Sequence, residues 1–163
     1  MLKLDLNQFT EKFTLPDQAV DVNEIPWVPT FEGSDAVFFK PVRFDLNTGN
    51  WVHISKFKAN KGNTRHRHTG GPVFAYTLQG RWRYLERDWV AKAGTVVFEP
   101  PGDIHTLVVD GEEDMITMFS LSGVLQYFDE HGNVTLNDDM FYRLKRYHDY
   151  CEQNNIPIKN LMY

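Results

Sequence analysis

The chain has 163 residues and a formal net charge of −5, with a pI of about 5.6. That length fits one domain, large enough to bury roughly 70% of the surface its unfolded chain exposes. Basic residues are scattered rather than gathered into a patch, which argues against nucleic acid and membrane surfaces as partners.

Cys151 is the single cysteine, so no disulfide can form within the chain and a reducing compartment is expected. Its place in a predicted helix reads as packing rather than nucleophilic chemistry. The N-terminal run MLKLDLNQFTEKF is too polar for a secretory signal, and no apolar stretch approaches membrane-spanning length. The cytoplasm is the expected location.

In chain order, residues 1–35 read as an extended arm with at most one helical turn, because Pro16, Pro26 and Pro29 interrupt it. Residues 36–136 carry short apolar or alternating segments, among them AVFFKPVRF, WVHISKFK, VFAYTLQG, RWRYLE, TVVFEP, HTLVVD and MITMFSLS. Turn residues separate them: Asn47 to Asn50, Lys61 to Asn63, Gly70 to Pro72, Gly102-Asp103 and Asp110 to Glu112. Strands this short and this regularly spaced predict an all-β sandwich or barrel. The run Asp129 to Asn133 predicts a hairpin turn between the last two strands. Then Asn137, Asp138 and Asp139 offer an N-cap, and Met140, Phe141, Leu144, Tyr147, His148 and Cys151 follow at helical spacing. A helix over 139–153 is expected to pack on the outside of the β-domain, ended by Asn154, Asn155 and Pro157.

The chemistry concentrates in histidines. His66 and His68 stand one residue apart, and residues i and i+2 of a strand project from the same face. His105 ends Gly94-Thr-Val-Val-Phe-Glu-Pro100-Pro-Gly102-Asp-Ile-His105, whose Pro-x-Gly turn can return the chain to the same place. Three neutral imidazoles at one point suit a divalent first-row metal. His53, His131 and His148 read instead as satisfied core or surface residues.

Other residues stand between two readings. In Arg81-Trp-Arg-Tyr-Leu-Glu86, alternation puts Trp82, Tyr84 and Glu86 on one face. Glu86 is therefore a candidate ligand, partner of a metal-bound water or general base, or else a solvated turn residue. Glu99 reads as orienting a loop or pairing with an arginine. Val73, Ala75, Trp82 and Tyr84 line either an apolar substrate pocket or a filled barrel core.

His66-x-His68, then Val73 after four residues and Gly80 after six more, followed by Gly94-x5-Pro100-x-Gly102-x2-His105, resemble the paired motifs of the cupin superfamily. Three positions depart from that pattern. Val73 stands where a glutamate ligand is usual, Val109 where an asparagine often closes the second motif, and Asn60 where a glycine precedes the first histidine by six. Within cupins, residues 25–145 look most like 2,4′-dihydroxyacetophenone dioxygenase, and more distantly like acetylacetone-cleaving dioxygenases. Trp27-Val-Pro29, Thr48-Gly49-Asn50-Trp51 and the turn after Phe128 carry that likeness.

The resemblance implies a jelly-roll β-barrel, metal ligation by His66, His68 and His105, and a carboxylate near the metal at Glu86. It also implies Fe(II), dioxygen, a small carbonyl substrate and a homo-oligomer. Three histidines equally accept zinc, nickel, manganese or cobalt. A zinc hydrolase or isomerase therefore stands as one alternative and a metal- or ligand-binding sensor module as another. Cupins resembling zinc-dependent anti-sigma factors usually carry a further helical domain, for which 163 residues leave no room.

Overall fold

The computed structural model describes residues 6–61 and 63–162. Its architecture is the expected all-β one: two antiparallel sheets packed face to face, with a helix at each end of the chain. Helix α1 (Leu6–Phe13) precedes β1 (Val28–Pro29), β2 (Val37–Asp45), β3 (Asn50–Phe57), β4 (Asn63–Thr69), β5 (Val73–Gln79) and β6 (Arg81–Tyr84). Then come β7 (Ala91–Lys92), β8 (Val96–Glu99), β9 (Ile104–Val109), β10 (Met115–Ser122), β11 (Val124–Phe128), β12 (Val134–Asp139) and helix α2 (Met140–Gln153). Helix α1 is longer than the single turn expected of the arm, and residues 1–5 of that arm lie outside the described residues.

One sheet runs β1-β2-β3-β10-β5-β8 and the other β12-β11-β4-β9-β6-β7. Neighbours in space are often remote in sequence, which is the jelly-roll signature. Alternation sends one side of each strand inward. Phe39, Trp51, Trp82, Met115 and Leu121 are fully buried between the sheets, and a barrel of this size is filled by such side chains.

Close approaches lock the register. Gly123, with φ +81, lies where chain and sheet change direction between β10 and β11. A Cβ there would sit 1.9 Å from the Thr69 carbonyl oxygen, so only glycine fits. The Asp129 carboxylate accepts from the backbone of His131 and Asn133, closing the hairpin predicted at 129–133.

Asp139 caps α2 by accepting from the Tyr142 amide at 2.8 Å. The helix buries Met140, Arg143, Tyr147 and Cys151, whereas Phe141 is exposed. The inner face of the helix thus holds Arg143, whose guanidinium donates to Asp138, and leaves out Phe141, which was expected there. Among the described residues no helix is long and apolar enough to cross a membrane.

Candidate metal centre

Strand β4 aims His66 and His68 inward, and it pairs with β9 so that His66 stands opposite His105. The turn between β8 and β9 is tied to the same strand, since the Gly102 amide donates to the His68 carbonyl at 2.8 Å. Gly102 adopts φ +99 there, a conformation that favours glycine. The Pro-x-Gly turn therefore returns the chain as expected.

His66, His68 and His105 are buried and brought together with a fourth residue, Glu99. One ligand atom from each lies within 4.8 Å of the others. Glu99 Oε2 is 3.1 Å from His68 Nε2 and 3.5 Å from His105 Nε2. Donor atoms about 2.1 Å from one ion stand about 3.0 to 3.4 Å apart at octahedral or tetrahedral angles.

The polar atoms of this group are otherwise unsatisfied. Both His68 nitrogens, His105 Nε2 and both Glu99 oxygens are buried with no hydrogen-bond partner among the described residues. A buried carboxylate left so costs several kcal/mol, which an ion would offset. The group could hold a metal ion, and its donor set fits a divalent first-row metal.

The tautomer of one imidazole follows from its hydrogen bond. His66 Nδ1 lies 3.0 Å from the Thr64 carbonyl, which can only accept, so Nδ1 carries the proton and Nε2 keeps its lone pair. Burial, reinforced by His68 and His105, holds His66 well below its usual pKa and hence neutral. Burial likewise lowers His105, against the opposing charge of Glu99. The Tyr84 ring stacks on His105 at 3.8 Å. Its hydroxyl is driven well above the ordinary phenol pKa by burial and then by the charge of Glu99.

Two expectations need correction. Glu86 does not share the inward face of Trp82 and Tyr84. Strand β6 ends at Tyr84, so alternation stops before residue 86. Glu86 is exposed, and its oxygens accept from the Thr106 amide at 2.8 Å and hydroxyl at 2.9 Å. Glu99 occupies the carboxylate position instead, and among the described residues its ion-pair partners are His68 and His105 rather than an arginine. The signal was available in the strand pairing: Val73 of β5 stands directly opposite Glu99 of β8. The glutamate missing at position 73 is supplied from the neighbouring strand at the same level of the ladder.

Asn60 answers the displaced glycine. It adopts φ +60, the left-handed conformation asparagine tolerates best after glycine; Gly62 lies outside the described residues. Val109 pairs with Trp82 at the end of β9 and packs against the core.

Of the proposed pocket residues, Val73, Ala75 and Trp82 are fully buried in the core. Only Tyr84 borders open space. It lines a vestibule of about 200 Å³ with Arg87, Trp89, Phe98, Asp103 and the metal-side residues Glu99 and His105. A second cavity, about 30 Å³ to the centres of water molecules, lies inside the barrel against His66 and His68, enough for one or two waters. His53 lines it too. That histidine is stacked between Trp51 and Phe119, and its Nδ1 has no partner among the described residues, so it is core but not satisfied. His131 is exposed and His148 half-buried, neither near the group.

Comparison with known proteins follows the same line. The ChrR cupin-like domain family matches residues 15–126. The fold is similar to an RmlC-like cupin protein from Ralstonia eutropha, with 35% identity, TM-score 0.85, and coverage of 91% of this chain and 96% of that one. A second cupin-like protein of unknown function from Ralstonia eutropha shares 24% identity over 92% of this chain and 95% of its own, with TM-score 0.81. An acetylacetone dioxygenase from Acinetobacter johnsonii shares the fold at 18% identity and TM-score 0.68, over 83% of this chain and 93% of that one. No curated protein matches in sequence. A barrel carrying three converging histidines, matched over most of its length by these relatives, leaves one conclusion: the chain belongs to the ChrR cupin-like domain family of the cupin superfamily.

Proposed function

We propose that this protein is a non-haem iron dioxygenase that cleaves a carbon–carbon bond beside a carbonyl in a small hydroxyketone or diketone. The observation that carries this reading is the buried group of three imidazoles and one carboxylate whose polar atoms lack other partners. Its fold likeness to an acetylacetone dioxygenase supports the substrate class. Iron(II), when bound, supplies Lewis acidity toward the substrate oxygens and redox chemistry toward dioxygen.

The protein's own residues do the rest. His66, held by the Thr64 carbonyl, His68 and His105 fix the position of the ion. Glu99, within reach of two of those imidazoles, accepts the proton lost from the carbon next to the carbonyl. That role passes to Glu99 from Glu86, whose oxygens are occupied by Thr106. Tyr84 keeps the His105 ring in place by stacking. The aromatic vestibule of Tyr84, Trp89 and Phe98 receives an aryl or alkyl ketone better than a sugar, and it limits water at the reacting carbon.

The test is oxygen consumption by anaerobically purified, iron-restored protein on a panel of hydroxyacetophenones and 1,3-diketones, with product analysis. Iron-dependent uptake of one dioxygen per substrate, with two carbonyl or carboxyl fragments, is the expected result. Turnover restored by zinc without oxygen consumption would transfer the site to a hydrolase or isomerase.

A further inference from the structure

The turn after β6 is fastened to the strand of His105 at three points. The Leu85 amide donates to the Thr106 carbonyl at 3.0 Å. The Glu86 carboxylate accepts from the Thr106 amide and hydroxyl, and the Arg87 guanidinium donates to Asp103. These contacts straddle His105, gripping the chain two residues before it and one residue after. Glu86 is not among the converging donors of the metal centre. What the turn can affect is the placement of a residue that is.

Asp103, held by this turn, also faces the ligand. Its Oδ2 lies 3.7 Å from His105 Nδ1, while Glu99 Oε2 lies 3.5 Å from Nε2 of the same ring. A neutral imidazole has a single N–H to place, and here a carboxylate stands at each nitrogen. Only the form protonated at Nδ1 leaves the Nε2 lone pair free for an ion. The Tyr84 ring stacks on His105 at 3.8 Å, and a flip that exchanged the two nitrogens would have to break that stack. The two carboxylates therefore compete for one proton on a ring that cannot turn freely.

We propose that Asp103 is a positioning residue of this centre. It accepts the His105 Nδ1–H and so keeps Nε2 as the ligating atom, while Arg87 aims the carboxylate and Glu86 pins the strand beside it. The Thr64 carbonyl does the same for His66; a carboxylate brings charge to the acceptor and strengthens the bond. A movement of roughly 0.5 to 1 Å brings Asp103 into hydrogen-bond range of the ring. The side chains of Arg87 and Asp103 are 40% and 42% exposed, and an ion pair in such a place adds little stability of its own. Its geometric effect is to hold a mobile carboxylate against the imidazole. The inference rests on the metal centre and is independent of the reaction assigned above.

Nitrogen NMR of the histidine-labelled full chain, together with equilibrium dialysis of zinc, tests this. In the metal-free wild type the His105 proton is expected at Nδ1. In Asp103→Leu it is expected to move to Nε2, toward Glu99. Zinc affinity is expected to fall about ten- to a hundredfold in that variant and to recover in part in Asp103→Asn, whose amide oxygen still accepts. In Arg87→Met the loss is expected to stay within about fivefold, the reach of an exposed ion pair. Should Asp103→Leu fold poorly, Asp103→Ala serves in its place. A well-folded variant that keeps the wild-type tautomer overturns the inference, whether or not its zinc affinity falls. So does one that binds zinc as tightly as the wild type. A wild type that takes up no zinc would remove the metal centre, and the tautomer, read without metal, would still decide what Asp103 does to the ring.

Discussion

Two buried polar clusters share the interior of this barrel, and they are finished in opposite ways. On one side Arg143 and Asp138 meet in an ion pair, with Arg143 Nε 2.7 and 2.8 Å from the two carboxylate oxygens. Thr30 and the Tyr127 hydroxyl take up further guanidinium hydrogens, and the cation lies over Phe39 and Trp51. On the other side His68, His105 and Glu99 hold buried polar atoms with no partner among the described residues. Tyr127 stands between the two, its ring 5.8 Å from that of His66. Proteins rarely leave buried polar atoms unsatisfied. The contrast therefore separates a cluster completed by the chain from one that could hold a metal ion.

The sharpest way to break this contrast is to remove an imidazole. His66→Ala or His105→Ala is expected to abolish iron retention and oxygen uptake, measured by metal analysis and an oxygen electrode. Retention of one iron per chain in either variant would put the metal elsewhere.

Next in size, Arg143→Met leaves Asp138 buried without its cation and should cost about 3–5 kcal/mol in urea unfolding. The fraction that remains native should still take up metal, because the two clusters do different work. Burial already lifts the Asp138 carboxyl above its usual pKa against the opposing Arg143 charge, so removing that charge should lift it further.

Glu99→Gln sharpens the comparison through opposite signs. Metal affinity should fall about ten- to a hundredfold. The metal-free protein should gain about 1 kcal/mol, because a buried carboxyl group without hydrogen-bond partners is replaced by a neutral amide. Equilibrium dialysis and thermal unfolding read the two effects separately, and a loss in both would mean that Glu99 is structural.

A further effect, of similar size, is on pH. Burial lowers His53 and His66 well below 6.5, so both stay neutral in the native state while their unfolded counterparts take up protons. Stability of the metal-free protein is thus present above pH 6.5 and declines below it, by about 1 kcal/mol per histidine over the first pH unit. Urea midpoints that stay level from pH 7 to 5.5 would contradict this.

Much of the architecture was legible because it rests on local patterns. Alternation marked the strands, glycine and asparagine marked the turns, and Asp139 with its apolar followers marked the last helix. The convergence of three histidines could be read from a two-residue spacing and one Pro-x-Gly turn. What escaped were features decided by pairing between remote strands. Glu86 sits two residues past the end of alternation, which only the end of β6 at Tyr84 reveals. Arg143 looks like a solvent-facing helix residue until Asp138, buried at the end of β12, receives it. Val73, Ala75 and Trp82 left pocket and core equally open, and packing density decided their burial.

The pairing of Val73 with Glu99 has a wider bearing. A ladder level belongs to two strands at once, so a donor lost from one rail can be provided from the other without moving the ion. Motifs written along a single strand therefore undercount the carboxylates of such a centre. By the same geometry, exchanging the two side chains as Val73→Glu with Glu99→Val keeps the donor set while transferring it between strands.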